Sequence, residues 1–119
     1  MTEKAVQDNL MAALSYLIMP LTGILIYFGE HHDKYVRFHA KQATIVGAIL
    51  LIIGMTMFVV DAIILVFFGW LIIPIIIVAV LDLIPLVITF LIWILLMYKA
   101  YSGIKFKMPV VGDFAEKGI

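Results

Sequence analysis

The chain has 119 residues, 66% of them hydrophobic, and its eight basic residues balance eight acidic ones. Its mean hydropathy of +1.21 means more apolar surface than a soluble domain of this size can bury, so lipid is the solvent for most of it. The zero net charge gives no indication of nucleic-acid binding. The absence of cysteine excludes disulfides, thiol catalysis and cysteine-bound metals.

The first hydrophobic segment, residues 10–28, contains no charged residue. As one helix it would be about 28 Å long, close to the thickness of the hydrocarbon core. Glu3 and Asp8 outnumber Lys4 before it, and no Ala-x-Ala site follows it. These features favour a retained helix over about 9–28 rather than a signal peptide.

A polar connection at 29–36 leads to three more apolar runs, which Asp61, Asp82 and Lys99 interrupt. Backbone in lipid must satisfy its own hydrogen bonds, so the runs predict helices over about 37–60, 62–81 and 83–103, before a cytoplasmic tail at 104–119. The predicted fold is a single all-α, polytopic membrane domain, 1–119, with four hydrophobic segments. Four spans would place both termini on the cytoplasmic side of the cell membrane.

Turn chemistry supports a different division of the chain. The stretch "FVVDAII" around Asp61 contains no glycine or proline, whereas "FFGWLIIP" contains both. A turn near Gly69 would give three spans with a buried or re-entrant middle segment. The polar connection and the tail would then share one side and seven of the basic residues, a better charge asymmetry. The 20 consecutive apolar residues at 62–81 favour four spans.

The stretch "YVRFHAKQA", 35–43, is the densest polar sequence beside a long apolar run. On a helix, Lys34, Arg37 and Lys41 fall within a stripe of about 60°. This stripe suits contact with lipid phosphates or an acidic partner, although a solvated anchor would look the same. His39 and Gln42 fall on a second stripe, which predicts polar contacts with a neighbouring helix.

Small residues and aromatic residues give further expectations. Ala43, Gly47 and Gly54 lie on nearly one face, where a second helix can approach closely. The following aromatic residues fall mostly near segment ends and are predicted to lie at the membrane interface: Tyr16, Tyr27, Trp70, Trp93 and Tyr98.

No catalytic set or cofactor motif can be assembled, so we predict neither enzyme activity nor a cofactor. Glu30, His31, His32, Asp33 and His39 lack the spacing of metal ligands, so no metal site is predicted. Asp61 and Asp82 have two interpretations. They mark helix boundaries, or they form the ion pathway of a small transporter or channel.

Two stretches carry a family resemblance. They match at Val36, Arg37, Phe38, His39, Ala40, Lys41 and Gln42, and at Lys99, Ala100, Gly103, Pro109, Gly112 and Asp113. Together they resemble a widespread family of small prokaryotic membrane proteins of unknown function. That family is related to the channel component of the chloroplast inner-envelope import machinery, the twenty-kilodalton Tic subunit. The resemblance implies four spans and a role in a protein-conducting assembly.

On this basis the favoured function is a non-enzymatic interaction or translocation-type subunit of a membrane assembly. Its expected partners are membrane lipids, anionic ones among them, and either another protein or further copies of the chain. The alternative function is a small transporter or channel that uses Asp61 and Asp82.

Overall fold

The computed structural model describes residues 3–29 and 33–117, and all regular structure in these two stretches is helical. The prediction of an all-α fold is therefore confirmed. Five helices follow in chain order: α1 (Glu3–Leu14), α2 (Leu21–Gly29), α3 (Lys34–Phe68), α4 (Ile72–Tyr101) and α5 (Val111–Glu116). The molecule is elongated, with principal extents of 59 × 25 × 22 Å.

The first hydrophobic segment is not one helix, because a turn at 15–20 divides it into α1 and α2. Pro20 cannot continue an upstream helix, since it lacks an N–H group and its ring clashes with the preceding turn. The Thr22 hydroxyl donates to the carbonyl of Ser15 over 3.0 Å and accepts from the N–H of Ile18 over 3.1 Å. Side chains thus satisfy backbone groups that the turn leaves free, and the segment folds as a short hairpin.

The other hydrophobic runs also divide differently from the prediction. Helix α3 passes through Asp61 without a break, and α4 passes through Asp82 and Pro85. The reversal lies at 69–71, where the Gly69 N–H bonds to the Leu65 carbonyl over 2.8 Å. The predicted helix at 62–81 is therefore shared between the end of α3 and the start of α4. Asp61 and Asp82 therefore lie within helices and not at their ends, and both line the same two cavities.

Two of the described helices, α3 and α4, are long and apolar enough to cross a membrane. Helix α3 has 35 residues and α4 has 30, which correspond to about 52 Å and 45 Å against a hydrocarbon core of about 30 Å. Both helices can therefore span and still extend beyond the core. The predicted four spans are not confirmed.

The packed core lies at one end of this α3–α4 hairpin. Residues 48–95, all of them described, include no buried residue. The core begins where α1, α2 and α5 surround the start of α3 and the end of α4, around Ala12, Tyr16, Ala43, Leu96 and Ala100. The remainder of α3 and α4 exposes its apolar side chains, as lipid-facing helices do.

The tail folds back onto this core. Ser102 caps the end of α4, and Gly103 follows with φ 81°, a left-handed conformation that only glycine adopts without strain. The chain then runs across α3 and ends in α5. The stretch predicted as a plain cytoplasmic tail is therefore part of the packed structure.

Candidate functional site

A buried polar cluster occupies the centre of the packed end. It consists of Tyr16, His39 and Gln42, whose side chains are inaccessible to solvent, together with Tyr35 and Trp93 at its edges. The Tyr16 hydroxyl lies 2.7 Å from Nδ1 of His39, and Nε2 of Gln42 lies 2.8 Å from that hydroxyl. Tyr35 donates to the Ala100 carbonyl over 2.5 Å. The cluster thus joins the α1–α2 turn, α3 and α4.

Backbone groups determine how the Gln42 amide is oriented. Its Oε1 accepts from the Met108 N–H over 2.9 Å, and its Nε2 donates to the Phe106 carbonyl over 3.0 Å. Since Nε2 of Gln42 donates to Tyr16, the Tyr16 proton is free to point at Nδ1 of His39. In that arrangement the proton of neutral His39 is on Nε2. Among the described residues, that Nε2 is the buried side-chain polar atom left without a hydrogen-bond partner.

The α1–α2 hairpin is fixed against both long helices. Nε1 of Trp93 donates to the Tyr16 carbonyl over 2.7 Å. On the other side, a Cβ atom at Gly47 would lie 2.5 Å from the Pro20 nitrogen, so the turn rests directly on the backbone of α3. Gly47 lies about 20 Å along α3 from Lys34. The hairpin therefore enters the bundle part-way and returns to the end from which it came.

The cationic stripe makes contacts inside the molecule. Arg37 donates to the Tyr27 carbonyl over 3.1 Å, and its guanidinium lies 4.3 Å from the centre of the Tyr27 ring. Lys41 donates to the carbonyl of Lys117. Lys34 is exposed. Arg37 and Lys41 thus help to hold α2 and the tail against α3, a role that spacing on a helix could not show.

The three predicted packing residues have different surroundings. Ala43 is in the core and Gly47 supports the α1–α2 turn. A Cβ atom at Gly54 would meet no heavy atom within 4 Å, so the chain itself leaves this part of the face open. Two of the predicted interfacial aromatics, Tyr16 and Trp93, belong to the buried polar cluster instead.

Asp61 and Asp82 form the second candidate site, far from the packed end. Both side chains are half-buried, one on α3 and the other on α4, and both line the same two cavities. Cavities of about 330 Å³ and 410 Å³ lie on either side of the pair. The structure therefore brings together the two residues that the sequence suggested for an ion pathway.

The tail carries a small charged contact. Nζ of Lys105 lies 2.9 Å from Glu116, and Lys107 bonds to the other carboxylate oxygen. Hydrogen bonds from Lys107 and Lys105 lower the pKa of Glu116 to about 2. Within 3–29 and 33–117, no group of three His, Cys, Asp or Glu side chains could hold a metal ion. Glu30, His31 and His32 lie outside these described residues.

Comparison with known proteins gives the family. Residues 7–115 match the MamF/MmsF family, described as the magnetosome magnetite crystal formation protein family. The chain belongs to this family. The resemblance to the Tic subunit implied a relation to that protein. None of these matches supports it.

Relatives of this MamF/MmsF family chain are described as UPF0132 membrane proteins. One from Methanocaldococcus jannaschii is 38% identical over 116 residues, covering 98% of this chain and 92% of the relative. One from Archaeoglobus fulgidus is 37% identical over 113 residues, covering 95% and 96%. A second from M. jannaschii is 32% identical over 109 residues, covering 92% and 68%. No solved structure matches. Membership of a membrane protein family of unknown function is thereby established.

Proposed function

We propose that this chain is a non-enzymatic subunit of a membrane assembly, which binds other membrane helices through the exposed part of its α3–α4 hairpin. The observation that carries this proposal is the pair of Asp61 and Asp82, which lie half-buried on facing helices and line the same two cavities. An aspartate near the centre of a bilayer costs about 2.5–3.5 kcal/mol on insertion scales. Two helices alone leave the pair half-buried, and helices docked beside it would complete its burial.

The open surface around the pair fits such docking. Gly54, where an added Cβ atom would meet no heavy atom within 4 Å, lines the cavity on one side of the pair, and Thr56 lines the cavity on the other. Small residues let membrane helices approach closely, and polar side chains hydrogen-bond across them. A partner is either a second copy of the chain or another membrane protein. The family's description, magnetite crystal formation in magnetosomes, is compatible with a protein that organises a membrane.

The membrane arrangement that accompanies this proposal has two spans and one re-entrant hairpin. All eight Lys and Arg residues lie at 4–41 or 99–117, and 42–98 has no basic residue. These positions share the packed end of the molecule, whereas the turn at 69–71 is at the other. The positive-inside tendency places the packed end, with both termini, in the cytoplasm. This arrangement replaces the four spans favoured by the sequence.

Site-directed photo-crosslinking tests the assembly. The chain has no cysteine, so single cysteines carrying a benzophenone can be placed at Gly54 and Thr56 beside the pair. Val59, 54% exposed and outside both cavities, is the matched control. In native membranes we expect protein adducts from Gly54→Cys and Thr56→Cys, and lipid adducts from Val59→Cys. Lipid adducts alone at all three positions would contradict the proposal, and mass spectrometry of the protein adducts would identify the partner.

A small transporter remains the second candidate, because Asp61 and Asp82 meet at one depth beside two cavities. The double substitution Asp61→Asn and Asp82→Asn distinguishes the two functions. Asparagine retains the volume and can still hydrogen-bond to a neighbouring helix, so the assembly should persist and the protein adducts at Gly54 should be unchanged. A transporter would lose proton or cation flux in proteoliposomes. Loss of flux with unchanged adducts would establish transport as the activity.

A further inference from the structure

A groove between α2 and α3 lies at the packed end, away from Asp61 and Asp82. Its volume is about 390 Å³, and it is lined by Ile24, Tyr27, Phe28, Lys41, Thr44 and Ile45. The Thr44 hydroxyl is already bonded to the Ala40 carbonyl over 2.8 Å. The groove is therefore an apolar surface with one cation, Lys41, at its edge.

The groove runs along the two helices, which are antiparallel. Arg37 reaches Tyr27, whereas Gly23 packs against Thr44 further along α3. Phe28 thus lies at the polar end of the groove, and Ile24 lies one helical turn deeper, about level with Lys41. Ile45 lies one turn deeper again, whereas the Lys41 side chain leans back toward the start of α3, which is the polar end. An amphiphile whose apolar chain points toward the membrane interior would meet the cation with its headgroup.

The charge at the polar end suits an anion. Arg37 lies one turn beyond Lys41 on α3 and is held in place by its bond to the Tyr27 carbonyl. Lys34, exposed, lies almost one turn further. None of the six residues that line the groove is acidic. The Lys41 ammonium bonds to a neutral carbonyl at Lys117, in an exposed contact, and a phosphate would be the stronger acceptor because the bond is then charge-assisted at both ends.

We propose that this groove binds an anionic phospholipid, with one acyl chain along Ile24 and Ile45 and the headgroup phosphate on Lys41. Arg37 and Lys34 attract the headgroup from the adjacent turns. The two parts of the site have different selectivity. The apolar wall binds an acyl chain whatever the headgroup, whereas the cations favour anionic headgroups over zwitterionic ones. The site is independent of the proposed assembly at Asp61 and Asp82, because it lies at the other end of the molecule.

Native mass spectrometry of the full chain in detergent tests the site, with palmitoyl-oleoyl phosphatidylglycerol as the anionic probe and the corresponding phosphatidylcholine as the zwitterionic one. Lys41→Gln should weaken retention of phosphatidylglycerol about fivefold and leave phosphatidylcholine unchanged. Lys41→Arg should restore retention. Lys4→Gln removes a charge at the same end without touching the groove, and it should have no effect.

A second pair of variants tests the acyl-chain position. Ile24→Trp fills the groove, whereas Leu25→Trp adds the same bulk at the neighbouring exposed position. Ile24→Trp should lower the retention of both lipids, and Leu25→Trp of neither. Melting temperatures confirm that each variant is folded.

Three results would overturn the proposal. Equal losses of phosphatidylglycerol retention in Lys41→Gln and Lys4→Gln would show that the lipid is held by general charge attraction and not by this groove. Full retention by Ile24→Trp, with displacement by millimolar inorganic phosphate, would show a phosphate site without an acyl groove. Loss of a copurifying acidic protein, with lipid retention unchanged, would make the cations a protein docking surface.

Discussion

Gln42 illustrates what the sequence can predict at the scale of one residue. Its position on the helix predicts an inward direction, and the structure places it in the core. Its partners could not be predicted, because Phe106 and Met108 belong to a tail more than sixty residues away. Helical periodicity fixes the face on which a side chain lies but not the segment that covers that face. Tyr16 is a second example. Its position near a segment end predicts the membrane interface, but α3 covers its side chain in the core.

Replacement of Gln42 tests the buried polar cluster. Gln42→Leu removes one of the two bonds of the Tyr16 hydroxyl and leaves the Phe106 carbonyl and the Met108 N–H without this partner, so we expect a loss of about 1–3 kcal/mol in unfolding free energy. Gln7→Leu makes the same chemical change on the exposed surface of α1 and should have little effect. The measurement is denaturant unfolding in detergent. Equal losses for both variants would argue against the cluster as a stabilising element.

The glycines of α3 provide a second test at this scale. A Cβ atom at Gly47 would overlap Pro20 and Met19, whereas one at Gly54 would meet open space. Gly47→Ala should therefore displace the α1–α2 turn and cost about 1–3 kcal/mol. Gly54→Ala should be neutral in the isolated chain, or slightly stabilising, because alanine is the better helix former. The same unfolding assay applies, and a greater loss at Gly54 than at Gly47 would refute this packing.

At the scale of elements, the helical class was predictable and the element boundaries were not. The run at 10–28 has the length and composition of a span, and only Pro20 indicates a break. Charged residues normally mark membrane interfaces, so the sequence predicts helix ends at Asp61 and Asp82. Both residues instead lie inside α3 and α4, half-buried beside the same two cavities. The turn signal at Gly69 and Pro74 was the better guide, because it reflects local backbone chemistry.

Trp93 tests how the α1–α2 hairpin is held. Trp93→Phe removes the bond to the Tyr16 carbonyl, worth about 1 kcal/mol, and should increase amide hydrogen exchange in the turn at 15–20. Trp70→Phe is the matched control, since Trp70 is 79% exposed and bonds only within its own turn. Exchange at 15–20 that is unchanged by Trp93→Phe would contradict this attachment.

Acid should loosen α5 from the stretch at 105–107, because Glu116 holds these two parts of the tail together. The pKa of Glu116 is lowered to about 2 from its ordinary value of 4.5, so its contribution is complete above about pH 4.5 and is lost as the pH falls toward 2. A nitroxide attached at position 113 should become more mobile as the pH falls through this window. In Glu116→Gln the nitroxide should be mobile at every pH. In Glu3→Gln its mobility should depend on pH as it does in the unsubstituted chain. A label whose mobility does not change with pH would show that the contact of Glu116 with Lys105 and Lys107 does not hold α5 in place.

At the scale of the whole molecule, the distribution of charge and burial determines the arrangement. Every basic residue and the buried core lie at one end, and an exposed apolar hairpin extends from it. In the sequence, a turn near Gly69 gives the better charge asymmetry, whereas the long apolar run at 62–81 favours four spans. The reversal of the first segment cannot be predicted from the sequence, because it depends on contacts with Gly47 and Trp93.

The central claim is that the packed end lies on the cytoplasmic side of the membrane and the turn at 69–71 on the other side. Cysteine accessibility tests this claim most directly. Single cysteines replace Lys34, Lys117 and Trp70 in the natural cysteine-free chain, and an impermeant maleimide is applied to intact cells and to inverted membrane vesicles. We expect Lys34→Cys and Lys117→Cys to react only in inverted vesicles and Trp70→Cys only in intact cells. Reaction of Lys34→Cys and Lys117→Cys from opposite sides would instead require the four-span arrangement and contradict the account.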